Sequence, residues 1–444
     1  MTKYSKLTLA AAGVAATMAC STSALAQSAD ALIDKLVDKG VLSVKEANEL
    51  REEADKGFSQ AYSVKSGMPE WVSSLKLNGD FRGRYEGFFV DQPGFVERHR
   101  FRYRVRLGVV ANMNDNFEVG FRLGSGDLDN GINTGIDPLS QNQTMQNNAS
   151  KKGVFIDLAY GKWTPINNAD WSVSTTIGKI ENPYSFSDLV FDSDYTPEGA
   201  AVQIVRNLGE KHALSLTGGG FVLDELGGTT QDPYLFGGQA RLNSTWTPEL
   251  TTSLGVAYLA IVNPEQLSNI AEPNGNIGNT RNAAGDLIYD YSPVVFDASA
   301  TYKLESFPMY PGAFPITVAG DYMINDGASS AADNEGWSAG VKFGKAGKRK
   351  TWELSYTYKW LGADAWWEEL VDSDSGAFYT APYPGSGQGA GYRSGTNVKG
   401  HVVKAAYSPF DTVTLSARAF FMERVDAPTD SETTRLQVDA QWKF

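Results

Sequence analysis

Cysteine is almost missing from this chain. Its one copy, Cys20, falls within the first 26 residues, so a chain trimmed there has none. Disulfides and thiolate metal sites are thereby excluded. Histidine is scarce as well. His99, His212 and His401 are scattered, which argues against a histidine-built metal centre or a catalytic triad. Positive charge is in deficit, with 39 Lys+Arg against 52 Asp+Glu and a net charge of -13. Such an acidic chain is a poor match for nucleic acid. Beyond the leader, no stretch approaches the roughly 18 apolar residues of a membrane helix. That absence leaves membrane barrels open, because their alternating strands give a weak hydropathy signal. No phosphate loop, zinc motif or nucleophile elbow is found either.

What is present begins with a leader. Lys3 and Lys6 precede an apolar run from Leu7 to Met18, then the small-residue triplet Ala24-Leu25-Ala26. This layout predicts a signal peptide over residues 1–26. The rival reading, lipidation at Cys20, lacks the usual Leu three positions earlier. Lys3 and Lys6 are the only charges in the leader, so its removal takes the net charge from -13 to -15. Residues 27–65 predict a short helical hairpin or coiled-coil segment. Leu32, Ile33, Leu36 and Val37 share a helical face, and Gly40 suits a C-cap. Ser43 and Glu46 form a capping box for a second helix carrying Ala47, Leu50 and Ala54. Each helix is too short to stand alone. The segment is expected to pack on itself or on other copies, or to face the cell wall.

From Trp71 the period changes to two. In "LKLNGDFRGRYEGFF", Leu75, Leu77, Phe81, Tyr85 and Phe89 take one face, and Asp80, Arg82, Arg84 and Glu86 the other. The alternation recurs to the last segment, Leu436, Val438, Ala440, Trp442 and Phe444. Short turns such as 114–116, 207–211 and 408–411 alternate with long polar stretches at 125–152, 182–197, 263–289 and 362–396. Short turns at one end and long loops at the other describe a transmembrane antiparallel β-barrel of about 16 strands, here placed over residues 66–444. Trp163, Trp171, Trp246 and Trp442 fall at strand ends with the apolar set and are expected at the membrane interfaces.

One strand decides between this barrel and a soluble sandwich. In "RHRFRYRVRLGVV", Arg98, Arg100, Arg102, Arg104 and Arg106 alternate with His99, Phe101, Tyr103, Val105 and Leu107. Alternate residues lie about 7 Å apart, within the ~8 Å screening length, so these guanidiniums repel one another. In a dry core each would cost several kcal/mol, so the face needs water and acidic neighbours. The other face needs an apolar medium. Many such strands together point to lipid outside and a wet lumen inside. Arg82, Arg84 and Arg122 share the parity and extend the pore-lining patch. The counter-charge is expected from "ENPYSFSDLVFDSDYTPEG", with Glu181, Asp188, Asp192, Asp194 and Glu198. Folded into the lumen as a constriction, this loop would set a transverse field across the pore.

The segments "FRLGSGD", "SQNQT", "SKKGVFIDLAYGKW", "IGKIENPYSFSDLVFDSDYTPEGAAVQ" and terminal "QWKF" resemble the putative-porin family of Gram-negative outer membranes. "ALIDKLVDKGVLSVKEANEL" is similar to that family's helical leader. The resemblance implies a homotrimeric channel for small hydrophilic solutes, set in outer-membrane lipid and lipopolysaccharide. It implies that Phe444 is the aromatic end read by the barrel-assembly machinery. An even strand count returns both ends of the barrel to one side, so the N-terminal segment and C-terminus are expected in the periplasm. The acidic loop lacks the Pro-Glu-Phe-Gly motif of the general trimeric porins. Its constriction role therefore rests on order and charge.

Weaker features point elsewhere. "GDLDNG" offers Asp127 and Asp129 to calcium but lacks full EF-loop spacing and the terminal Glu, so a turn is the better reading and no metal or cofactor is expected. An outer-membrane enzyme would need a Ser-His pair on the barrel wall, and His99 and His401 show no partner in sequence. A structural or partner-binding sleeve is the remaining alternative. The arginine patch, with Asp188, Asp192 and Asp194 opposite, instead favours an open pore that prefers anions.

Overall fold

The structure is a computed structural model that describes residues 69–90, 95, 97–126, 139–228, 230–267, 275–329, 332–380, 391–427 and 431–444. The signal peptide, the helical segment and the Asp127/Asp129 turn lie outside the described residues.

Sixteen antiparallel strands form the wall. The first four are β1 (Val72–Val90), β2 (Arg98–Met113), β3 (Phe117–Gly126) and β4 (Gly153–Asn167). Next come β5 (Trp171–Lys179), β6 (Glu198–Leu208), β7 (His212–Val222) and β8 (Tyr234–Thr245). They are followed by β9 (Leu250–Val262), β10 (Pro293–Leu304), β11 (Phe314–Asn325) and β12 (Glu335–Gly344). The last are β13 (Thr351–Leu361), β14 (Val398–Phe410), β15 (Val413–Arg424) and β16 (Thr433–Lys443). Each pairs with the next, and β16 returns to β1 with Arg84 opposite Asp439 and Phe81 opposite Trp442. The sheet therefore closes, which leaves no edge strand to pair in the membrane. A two-residue strand, Gln143–Thr144, adds to the free upper part of β2 beside Arg102 and Tyr103. Residues Lys76–Phe444 form one unit.

Alternation decides which side chains point out. On β2, Phe101, Val105 and Leu107 are exposed, whereas Arg102 and Arg104 are buried. The exposed apolar set continues around the wall through Ile177, Leu216, Phe236, Leu254, Val318, Leu354 and Val438. In water such a belt would be a large aggregation surface. Against lipid it is the expected outer face of a barrel. Trp163, Trp171, Trp246 and Trp442 are exposed near the short turns. Trp163 stacks on Phe117 at 5.7 Å, and the Arg206 guanidinium lies 4.6 Å above Trp171. The turn at 114–116 is tight because Asp115 and Asn116 adopt positive φ, of 58° and 61°. Asn and Asp tolerate that region better than other side chains.

The interior is divided. Toward the short turns it is polar. Toward the long loops the inner wall itself is apolar, with Phe221, Leu235, Leu259, Val295, Met323, Leu361 and Phe420 all nearly or fully buried. Loop residues Tyr184, Leu189, Phe191, Tyr291, Trp366, Trp367 and Leu370 join them in one cluster. A hydrophobic core thus fills part of the barrel at its loop end.

Candidate functional site: the charged wall and the infolded loops

The site is built on β1, β2, β3 and β16. Period-two alternation sends their charged side chains inward, and barrel closure sets β1 between β2 and β16. Glu86 sits at the centre and is fully buried. It accepts hydrogen bonds from Arg100 Nε, from Arg435 Nη2 at 2.7 Å and from Gln437 Nε2 at 3.1 Å. Arg84 and Arg102 lie 3.6 and 3.7 Å from its oxygens. Lower on the wall, Asp80 accepts from Arg104 Nη2 at 3.0 Å and Arg106 Nε at 2.6 Å. Arg84 grips Asp439 through two bonds of 2.7 and 2.8 Å. Arg122 pairs with Asp157 and Glu181. Arg82 donates to Asn142 Oδ1 at 2.7 Å.

This arrangement differs from an arginine wall facing an acidic loop across a gap. Most of the counter-charge comes from the strands themselves, through Asp80, Glu86, Asp157 and Asp439. Packing guanidiniums this closely is tolerable only when each meets an oxygen at short range. Arg435, which sequence reasoning passed over, shares Glu86 and reaches Asp374 at 2.8 Å. Its signal was the repeated inward parity of "TRLQVDAQW", with one cation beside one acid.

The acidic loop between β5 and β6 supplies charge at several separate points. Asp194 contacts Arg104 at 3.2 Å and Arg106 at 3.7 Å. Asp188 instead meets Lys359 of β13, 2.7 Å away. Glu198 stands on β6 itself, largely exposed, and pairs with Lys179 at 3.2 Å. Asp192 binds a second infolded segment, between β13 and β14. It accepts from the Ser373 amide at 3.0 Å, while its own amide donates to Leu370 O at 2.7 Å. Lys359 clasps both segments, since it also reaches Asp372 at 3.1 Å. A third segment, between β9 and β10, adds Asn279 and Asn276, which bond the backbone of 363–371.

Burial pushes the Asp192 carboxyl up to about 7, helped by the charges of Asp194 and Asp372. Burial also works against Asp374, but Arg435 and Arg84 outweigh it and hold that carboxyl near about 2. The raised carboxyl has a definite sign. Its contribution is complete below the ordinary carboxylate range near ~4 and is gone once pH has passed about 7. Protection of the Ser373 amide, corrected for intrinsic exchange, should therefore fall as pH rises from about 5 to about 8. Asp192→Asn should remove that pH dependence, read by hydrogen exchange with mass spectrometry. A wild-type profile that is flat over this window would contradict the assignment.

The loop is seated by a notch in the wall. Tyr184 Oη donates to Gly237 O at 2.7 Å, and its ring lies over the inward-facing Gly219 and Gly237. A Cβ at Gly237 would approach Tyr184 Oη to 2.5 Å and Leu259 Cδ2 to 2.7 Å. Gln239 holds the neighbouring Ser185 from both sides, with bonds of 3.0 and 2.9 Å. Gly237→Val should lift the loop and speed limited proteolysis within 181–197. Tyr184→Phe, which removes one bond of about 1 kcal/mol, should have a smaller effect. Equal resistance of Gly237→Val and wild type would rule out the notch.

The wall histidines have aromatic partners. His99 Nδ1 lies 2.8 Å from Tyr85 Oη, and His401 Nδ1 lies 2.8 Å from Tyr356 Oη. No serine completes either pair among the contacts of the described residues.

Residues 92–274 match the family model described as "Putative porin". No curated protein matches the chain. Among solved structures, OprB of Pseudomonas putida aligns with a TM-score of 0.51 at 11% identity, over 84% of this chain and 98% of that one. OmpF of Salmonella typhi, in complex with daunomycin, gives 0.46 at 10% identity over 83% and 97%. The outer membrane channel DcaP of Acinetobacter baumannii gives 0.43 at 12% over 84% and 97%. At 11% identity the likeness to OprB is one of fold.

Proposed function

We propose that this chain, similar to the putative-porin family over residues 92–274, is an outer-membrane porin through which small hydrophilic solutes diffuse, with a preference for anions. The family match and the closed barrel support an outer-membrane channel. The observation that carries the reading is the sixteen-strand closed wall, apolar outside and charged inside. A polar interior also supports it. Toward the short turns an open cavity of ≈ 750 Å³ is lined by residues such as Asn207, Lys211, Asn243, Ser253, Ser299 and Thr301.

In this reading Arg82, Arg84, Arg98, Arg100, Arg102, Arg104, Arg106 and Arg122 line the conducting path. Asp188, Asp192 and Asp194, with the partner segment 362–377, narrow it. The apolar plug confines solutes to the charged side of the lumen, where low-dielectric surroundings strengthen the field. An even strand count returns both barrel ends to one side, so the short turns and the N-terminal segment face the periplasm. A homotrimer in lipopolysaccharide-bearing membrane, and delivery by the assembly machinery through Phe444, complete the proposal. Phe444 is exposed, although its backbone pairs with Gly79 at 2.9 and 3.1 Å.

Proteoliposomes test the pore. Those carrying the protein should swell in isosmotic arabinose and swell far less in the tetrasaccharide stachyose. Absence of arabinose-driven swelling, with insertion verified by heat-modifiable migration, would defeat the reading.

A further inference from the structure

One inward arginine differs from the rest. Arg84, Arg104, Arg122, Arg241 and Arg435 each meet a carboxylate within 3.2 Å. Arg418 of β15 shares their inward parity, lying between Ser416 and the buried Phe420. Its guanidinium has the Phe420 ring 5.7 Å away, but no carboxylate or carbonyl partner among the described residues. It is half-buried, so the lumen can reach it.

Its neighbours do not relieve this. Across the sheet, Arg418 stands opposite Lys404 on one side and Gln437 on the other. Like charges in directly opposed positions destabilise a sheet. The Lys404 ammonium is engaged 2.8 Å from Glu353. Two strands further along the same register, through Ser355, lies Lys342, another inward cation with no ion pair among the described residues. The acids that feel the Arg418 charge are Asp188 and Asp374. Both are already held, by Lys359 at 2.7 Å and Arg435 at 2.8 Å. Among the described residues the wall therefore presents an unclaimed guanidinium fork at Arg418, backed by further positive charge.

We propose that Arg418 is a docking point for the carboxylate of a small hydrophilic solute, with Lys404 beside it as supporting charge. The proposal rests on the anion-admitting pore described above and names the group that the pore recognises. A guanidinium presents two parallel N–H donors that match a carboxylate, giving a short, charge-assisted, directional bond that a halide cannot reproduce. Docking would also relieve the Arg418–Lys404 repulsion. The strand cations then act in two ways: paired ones hold the wall together, and Arg418 meets cargo.

Gluconate and sorbitol are suitable probes, because they are alike in size and hydroxyl content and differ in the carboxylate. In planar bilayers at low potassium chloride, gluconate should reduce the chloride current of the wild-type protein in a saturable manner, and sorbitol should not. Arg418→Gln should raise the gluconate concentration for half-effect by about tenfold or more. Arg418→Lys should fall between, and it serves the same comparison if the Gln variant inserts poorly. Arg206→Gln, on the outer face over Trp171, should match wild type. If wild-type channels open and select anions but both Arg418 variants respond to gluconate as wild type does, the docking point is wrong and the porin reading stands. If the inserted wild-type protein opens no channels, both fail.

Discussion

Replacing Glu86 by Gln should destabilise the barrel more than any other single isosteric change in the wall. Glu86 is fully buried and receives Arg100, Arg435 and Gln437, with Arg84 and Arg102 within 3.7 Å. Gln keeps the shape and one acceptor but removes the charge that four guanidiniums share. Breaking a buried ion pair from one side typically costs about 3–5 kcal/mol, because the remaining charges stay buried without compensation. Part of that cost can be escaped if water enters beside Arg100. The measurement is urea unfolding in detergent micelles, followed by tryptophan fluorescence. The midpoint should drop clearly for Glu86→Gln, and much less for Glu198→Gln, whose carboxylate is largely exposed. Similar midpoints for the two variants would mean that Glu86 does not organise the wall.

Removing the Trp366 and Trp367 side chains together should raise single-channel conductance severalfold. Trp366 is wholly buried and Trp367 nearly so, at the centre of the core that fills the loop end. Phe191 meets Trp366 edge-on at 6.3 Å, which ties the β5–β6 loop to the β13–β14 segment. A Trp→Ala change in a packed core costs about 3–5 kcal/mol and leaves a cavity. A plug made of loops has fewer ways to absorb that loss than the hydrogen-bonded wall, so the loops should loosen before the barrel does. The variant should therefore keep its unfolding midpoint while its conductance and current noise increase. Unchanged conductance would place the plug away from the conducting path.

The strands were readable because one face had to be apolar along its whole length. "RHRFRYRVRLGVV" alone fixes the parity of β2, and Arg82, Arg84 and Arg122 follow from the same alternation. The count of about sixteen strands agrees with the closed barrel, since turn residues mark the short connections. The plug was less legible. Stretches such as "AYLAIV", Ala257–Val262, are apolar on both faces, the pattern of a strand covered on two sides. An alternation reading that assigns every apolar residue to lipid overlooks this. Acidic residues also mislead: in "ADAWWEELV" (363–371) three acids flank two tryptophans, so the segment reads as a polar loop, although Asp364, Glu368 and Glu369 are buried and Glu368 meets Arg281 at 2.5 Å. The ion pairs of Asp188, Asp194 and Arg435 depend on segments far apart in sequence, and no local spacing encodes them.

If the charged inner wall borders an open aqueous path, single-channel recording of the purified protein in planar bilayers will show stepwise, ion-conducting openings. Under a potassium chloride gradient, the reversal potential should be displaced toward that of chloride at low salt, and less so at 1 M, where screening shortens to ~3 Å. A folded, inserted barrel that gives no steps, or steps whose reversal potential is that of a cation-selective pore at low salt, would contradict this reading.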